Sequence, residues 1–224
     1  FGGEADIMLA GEQFLKPYSC PYARSCLGYR AQGKNFYYNA VDAVCVAYTC
    51  DSMRKVHEYW KNYFGVPSFA LGVPRTHDRL RLKPQATDYF VRELQDLRKN
   101  LEQLGGMRIT GRRLKKSISL FNSTRREVRR LYEYLKSDAP PISWEDILRI
   151  SHAGFVLDRS EYLLEVRKIN RELQVKARKE KREMKGPRLM IYGSMMATGD
   201  HKVQDIVRQA GGNIVADALC SGYR

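Results

Sequence analysis

Two apolar runs, residues 41–49 (VDAVCVAYT) and 66–74 (VPSFALGVP), flank a segment of helical pattern from Asp51 to about Phe64, with Met53, His57 and Trp60 spaced along it. Apolar runs of strand length, punctuated by glycine and proline and joined through a helix, predict a βαβ unit in a parallel sheet. Its crossover is expected to be right-handed. The pattern returns near the other end of the chain. After Gly186-Pro187, residues 188–194 read as a strand, 199–210 as a loop and helix closed by Gly211-Gly212, and 213–219 as the next strand. Between these stretches the period is helical. Phe90, Leu94, Leu97, Leu101 and Leu104 recur at 4-3-4-3 and stop at Gly105-Gly106. Leu114, Ile118, Phe121, Val128, Leu131 and Leu135 mark a second helix, ended before Pro140-Pro141. Ser143, three residues before Asp146, is placed to cap a third, and Leu163, Val166, Ile169, Leu173 and Val175 carry a fourth into the basic run KARKEKREMK, 176–185.

The expected fold is therefore α/β, with two Rossmann-like parallel-sheet lobes and a helical segment between them. The divisions fall at residues 1–83, 84–187 and 188–224, and a functional centre is expected in the cleft between the lobes. Strands this few could not cover both faces of a sheet, so the chain reads as part of a longer protein.

The cysteines give these elements a chemical edge. Cys50 follows the first strand run and Cys220 the last, which puts both at the carboxyl ends of parallel strands, where open α/β sheets bind ligands. Cys20 precedes Pro21 and a helical stretch, so its thiol would face a positive helix terminus. Three converging sulfurs are the smallest ligand set for an iron–sulfur cluster with one iron left open. The competing reading is three unrelated core thiols, since cysteine is among the residues most often buried. Cys26 lies six positions after Cys20, about 120° away around a helix, and its role stays open. Cys45, five residues before Cys50 on the same run, faces the other side of the sheet and is expected to be a core thiol. The loop 193–200, with Ser194 and Asp200, could line a substrate cavity or be an ordinary βα connection.

Several classes are excluded. No apolar run approaches the ~20 residues that cross a bilayer, so no membrane role is expected. Five cysteines form no even framework of spacings, which fits a reducing cytoplasm better than a secreted disulfide scaffold. His57, His77, His152 and His201 make no HxxxH or HExxH pair, leaving nothing from which to build a zinc hydrolase. No GxSxG elbow is present. The segment from Gly28 to Lys34 imitates the start of a phosphate-binding loop, but Asn35 stands where Ser or Thr must hold Mg²⁺ and no strand feeds it. The net charge of +14 suggests nucleic acid as a partner, yet it is concentrated: residues 81–187 carry 26 Lys and Arg against 15 Asp and Glu. Such a segment is a solvated helical surface or a docking face for an acidic partner or RNA. It lacks the RNP aromatics, GXXG clamp or zinc-knuckle spacing of a nucleic-acid module, so nucleic acid is not the favoured partner.

The motifs CPYARSCLG, TCDSMRK, VPSFALGVPR, LRKNLEQLGG, ITGRRLKKSISLFNSTRR and GSMMATGDHKVQDIVRQAGGNIVADALCSGYR follow one another in this order. In order and spacing, from about Gly11 to Arg224, they resemble the 2-hydroxyacyl-CoA dehydratase and benzoyl-CoA reductase superfamily. The resemblance implies a longer chain and a dimer of like or homologous subunits, each holding a cluster through three cysteines. Here these would be Cys20, Cys50 and Cys220. The cluster would be a [4Fe-4S] cubane, or in some members a double-cubane [8Fe-9S] cluster, for which Cys26 would be an additional ligand. It further implies a separate ATP-hydrolysing iron–sulfur activator that delivers a low-potential electron. In dehydratases that electron turns a CoA thioester into a ketyl radical that expels its hydroxyl as water. Reductases of the superfamily use it on aromatic rings or small molecules. Arg24, Arg54, Lys55 and the helix starts beside Cys20 and Cys50 would offset the charge of a thiolate-bound cluster.

Overall fold

The computed structural model describes residues 4–74, 84–179, 184–197 and 199–223. His77 and residues 180–183 of the basic run lie outside the described residues. The fold is α/β, and the chain divides into two compact units, Phe1–Ile109 and Thr110–Arg224.

The first unit holds α1 (Ala5–Gly11), α2 (Pro21–Gln32), α3 (Phe36–Asn39), β1 (Val44–Ala47), α4 (Asp51–Asn62), β2 (Ser68–Leu71) and α5 (Pro84–Gly105). β1 and β2 pair in parallel, Val44 opposite Ser68 through Ala47 opposite Leu71, with α4 as the crossover. Both strands are shorter than the apolar runs that predict them, because only these residues find a partner strand. Val46 from β1, Val56 and Trp60 from α4, and Ala23, Cys26 and Leu27 from α2 form the core. The helices α1 and α2 meet backbone to backbone. A Cβ on Gly28 would stand 2.0 Å from the Ile7 carbonyl oxygen, and one on Gly11 would stand 2.1 Å from that of Arg24. α5 joins this unit at the end of β2, where Glu93 Oε2 accepts the Gly72 N–H at 2.7 Å. No residue of α5 is buried, so its apolar row at Leu94, Leu101 and Leu104 is exposed.

Cys45 corrects the sequence expectation: it is exposed. The two-stranded sheet is packed by helices on the face of Val46, and alternation turns Cys45 to the other face.

The second unit holds α6 (Gly111–Tyr134), α7 (Trp144–Ala153), α8 (Arg159–Ala177), β3 (Arg188–Tyr192), α9 (Lys202–Gln209) and β4 (Asn213–Ala218). The expected helical segment is thus divided between the units, α5 with the first and α6 to α8 with the second. Caps set the helix starts. Thr110 Oγ1 accepts the Arg113 N–H, Ser143 Oγ accepts the Asp146 N–H, and Asp158 accepts those of Ser160 and Glu161. α8 ends at Ala177, short of the expected continuation to Lys185, so the basic run is not wholly helical. β3 and β4 pair in parallel with a shift between Leu189 and Met190. Leu131 of α6 and its C-cap Leu135, Trp144 and Ile147 of α7, Val166 of α8 and Ile214 of β4 make the core. Of the α6 row Leu131 and Leu135 are buried and Val128 is half-buried; Leu114, Ile118 and Phe121 are exposed.

Candidate functional site

Cys20 and Cys50 take equivalent places in the first unit. Each is the N-cap of a twelve-residue helix, Cys20 of α2 and Cys50 of α4. At both positions the carbonyl begins the helix, accepting the N–H of Arg24 or Arg54 at 3.1 Å. Neither thiol makes a capping bond, and both are exposed. A Ser or Asp here would turn inward to satisfy the first turn; cysteine, a weak acceptor, leaves those N–H groups free and its sulfur available. The nearby cations are engaged. Arg24 pairs with Glu12, and Arg54 lies over the Tyr48 ring at 5.4 Å.

Cys26 is different in kind. It is buried on the inner face of α2, and Tyr38 Oη donates to its sulfur at 3.6 Å. Burial pushes its thiol pKa up, opposed in part by the Tyr38 and Tyr22 hydroxyls. An uncharged, hydrogen-bonded thiol packed in a core has the character of a structural residue.

Cys220 belongs to the second unit, two residues beyond the end of β4. The turn that carries it is built on a buried carboxylate. Asp217 is 3% exposed, and its Oδ2 accepts from Tyr132 Oη at 2.8 Å and from Trp144 Nε1 at 2.7 Å. Its Oδ1 accepts the backbone N–H groups of Leu219 at 3.2 Å and Tyr223 at 3.0 Å. Four donors from the turn, α6 and α7 thus converge on one side chain, and residues 217–223 wrap around it. Gly222 is required there, because a Cβ would meet Asp217 Oδ1 at 2.0 Å. Burial, followed by the Asp217 carboxylate, holds the Tyr132 phenol well above its ordinary pKa, so it remains a donor. Cys220 itself stays exposed.

A pocket of about 420 Å³ opens beside this turn, lined by Cys220, Ser221 and the arginines Arg125, Arg129 and Arg159. Ser194 and Asp200 do not line it. Ser194 is exposed, and Asp200 accepts the Lys202 N–H at 3.4 Å at the start of α9. Cys20 and Cys50 therefore lie in one unit and Cys220 in the other. Among the described residues no group of three His, Cys, Asp or Glu side chains stands ready to hold a metal ion. The donor chemistry nevertheless suits an iron–sulfur cluster: Cys20, Cys50 and Cys220 are unpaired, exposed thiols, each fixed at the end of an element.

Asp217, Tyr132 and Trp144 carry no motif in the sequence. The one available signal was a lone acidic residue inside an apolar strand run, and it marks the position that shapes the Cys220 turn.

All of residues 1–224 match the family model described as 2-hydroxyglutaryl-CoA dehydratase, D-component. The chain belongs to this family. YjiM of Escherichia coli (strain K12), named as a dehydratase subunit, is 26% identical over 206 residues, 92% of this chain and 52% of that protein. A benzoyl-CoA reductase subunit of Thauera aromatica is 27% identical over 162 residues, 72% of this chain and 40% of its own. The beta subunit of lactoyl-CoA dehydratase from Anaerotignum propionicum is 22% identical over 142 residues, 63% and 35% of the two chains. The chain thus spans about half the length, or less, of the curated relatives it matches.

Proposed function

We propose that this chain is the cluster-carrying part of a dehydratase subunit acting on a 2-hydroxyacyl-CoA thioester. Thiolates of Cys20, Cys50 and Cys220 hold an iron–sulfur cluster in this reading. The observation that carries it is the placement of Cys20 and Cys50 as exposed, uncapped N-cap residues of two helices, within a chain that matches the dehydratase family along its whole length. When bound, a three-thiolate cluster supplies a low-potential electron and an iron with an open position.

The chain's own residues do the rest. The free N–H groups at the starts of α2 and α4 favour negative charge, and so favour thiolates at Cys20 and Cys50 once iron is bound. Asp217 holds the Cys220 turn in one shape, so that its sulfur approaches the metal from a rigid element. Cys26 stays in the core as a structural thiol, which favours a single [4Fe-4S] cluster over the double-cubane alternative. The electron comes from a separate ATP-hydrolysing activator, and the working unit pairs this subunit with a like or homologous one in the cytoplasm. A reductase of the same superfamily is the second reading, favoured by the similarity to a benzoyl-CoA reductase subunit.

Iron and sulfide counts on anaerobically purified variants test the site. Cys50→Ala is expected to lose most of its iron, while Cys45→Ala and Cys26→Ala keep it. Full iron retention in Cys50→Ala overturns the ligand assignment.

A further inference from the structure

The pocket beside Cys220 has the composition of an anion site. Arg125, Arg129 and Arg159 line it, and among the described residues no Asp or Glu does. Two of these arginines are only partly satisfied by protein. Arg159 lies over the Phe121 ring at 4.5 Å and gives Nη2 to the Gly154 carbonyl at 2.8 Å, but its buried Nε has no hydrogen-bond partner. Arg129 makes no side-chain hydrogen bond or ion pair among the described residues. Arg125 is held by Asn122 Oδ1 at 2.7 Å and lies 5.9 Å from the centre of the Phe121 ring.

A second, independent observation points into the same space. Ser221 lines the pocket, is 4% exposed, and its Oγ has no hydrogen-bond partner. Buried hydroxyls are almost always paired, so an unpaired one on a residue of the pocket lining is a donor left over for an occupant. Three like charges in one concavity repel, and an occupant of opposite charge relieves that repulsion. Phe121, Phe155 and Tyr162 add aromatic surface to the lining, beside Thr124, Val128 and Ser151. The volume lies within the ~300–1,000 Å³ of small-molecule sites.

We propose that this pocket binds the oxyanion end of a small organic molecule, a carboxylate or phosphate on an apolar body. Arg129, Arg159 and the Ser221 hydroxyl are its donors. Guanidinium groups match either oxyanion bidentately, and the aromatic walls take the apolar body. In the proposed enzyme the occupant would be the acyl portion of the substrate or a phosphate of its carrier. That assignment rests on the functional reading above; the anion site does not.

Binding is measured by calorimetry on the protein purified anaerobically. Hexanoate serves as the carboxylate probe, adenosine 3′,5′-bisphosphate as the phosphate probe, and hexanamide as the uncharged control. One of the two anions is expected to bind saturably and hexanamide not to bind. The anion that binds identifies the source. Arg129→Gln removes a side chain with no structural partner and is expected to weaken that binding about tenfold, the scale of one lost charge-assisted contact. Ser221→Ala is expected to weaken it less, with iron content unchanged in both variants. No saturable binding of either anion, equal binding of hexanamide, or unaltered affinity in both variants overturns the proposal. Iron content reads out separately from probe affinity. A protein that binds the anion normally but holds no iron through Cys220 would sink the cluster assignment and leave the pocket intact.

Discussion

Asp217 shows how much of a site can rest on one side chain. A buried carboxylate is costly unless each of its lone pairs is used, and here four donors use them. Asp217→Ala is therefore expected to lower the free energy of unfolding by about 3–5 kcal/mol, because it strands the Tyr132 hydroxyl and the Trp144 indole N–H in the core. Asp217→Asn keeps the shape and some of the acceptors, and should lose about half as much. Urea unfolding followed by tryptophan fluorescence measures both, and a loss below about 1 kcal/mol for Asp217→Ala would show that the hub is dispensable. The positions of Cys20 before a helix and of Cys50 and Cys220 beyond strands were legible from the sequence, because strand runs and Pro21 fix the backbone around them. Asp217 was not, since its value lies in partners 85 and 73 residues away, at Tyr132 and Trp144. Cys45 departs from its expectation, and Cys26, left open by spacing, lies in the core, for a related reason. Spacing along one element tells which face a residue takes, while burial depends on which face another element covers.

At the scale of elements, the helices were the best-read part of the chain, because apolar period and capping residues are local. Ser143 and Gly106 stand at the boundaries that their chemistry predicts. The strands were overextended, since an apolar run continues past the residues that find a neighbour. The imitation phosphate loop also resolves at this scale. Gly28 lies inside α2, where it lets α1 approach, and Gly33 is the left-handed C-cap of the same helix at φ 63°. The joint between α4 and β2 yields a pH prediction. His57 is buried, and its Nδ1 lies 2.6 Å from Ser68 Oγ. Burial lowers its pKa below the usual 6.5, and the smaller opposing effect of Glu58 does not reverse this. Between the lowered value and 6.5 the unfolded chain binds more protons than the folded one, so stability rises with pH across that window. The first unit should be at full strength above about pH 6.5, weaken as the pH falls from there to the folded value, and change no further through this group below it. Equilibrium unfolding between about pH 5 and 8 should show this slope, reduced in His57→Gln; an unchanged slope would assign it elsewhere.

For the whole molecule, charge and fold together divide the labour of the proposed reaction. A low-potential electron requires an energy source, and ATP hydrolysis is the one the functional reading invokes. A phosphate-binding loop needs a strand feeding a glycine-rich turn that opens a helix at its N-terminus. The similar letters here run along the body and the C-terminal end of α2, where the carbonyl oxygens of the last turn repel phosphate. Two helix starts that follow strands, α4 after β1 and α9 after β3, carry Cys50 and His201 at their N-caps, with no glycine-rich turn of that pattern before either. In this reading the nucleotide step resides on another protein. The purified protein, reconstituted with iron and sulfide and supplied with ATP and a 2-hydroxyacyl-CoA, is expected to hydrolyse no ATP and form no product. Addition of an ATP-hydrolysing iron–sulfur activator with a reductant should start both reactions together. Sustained ATP hydrolysis without the activator would place the energy-coupling step on this chain and overturn the division.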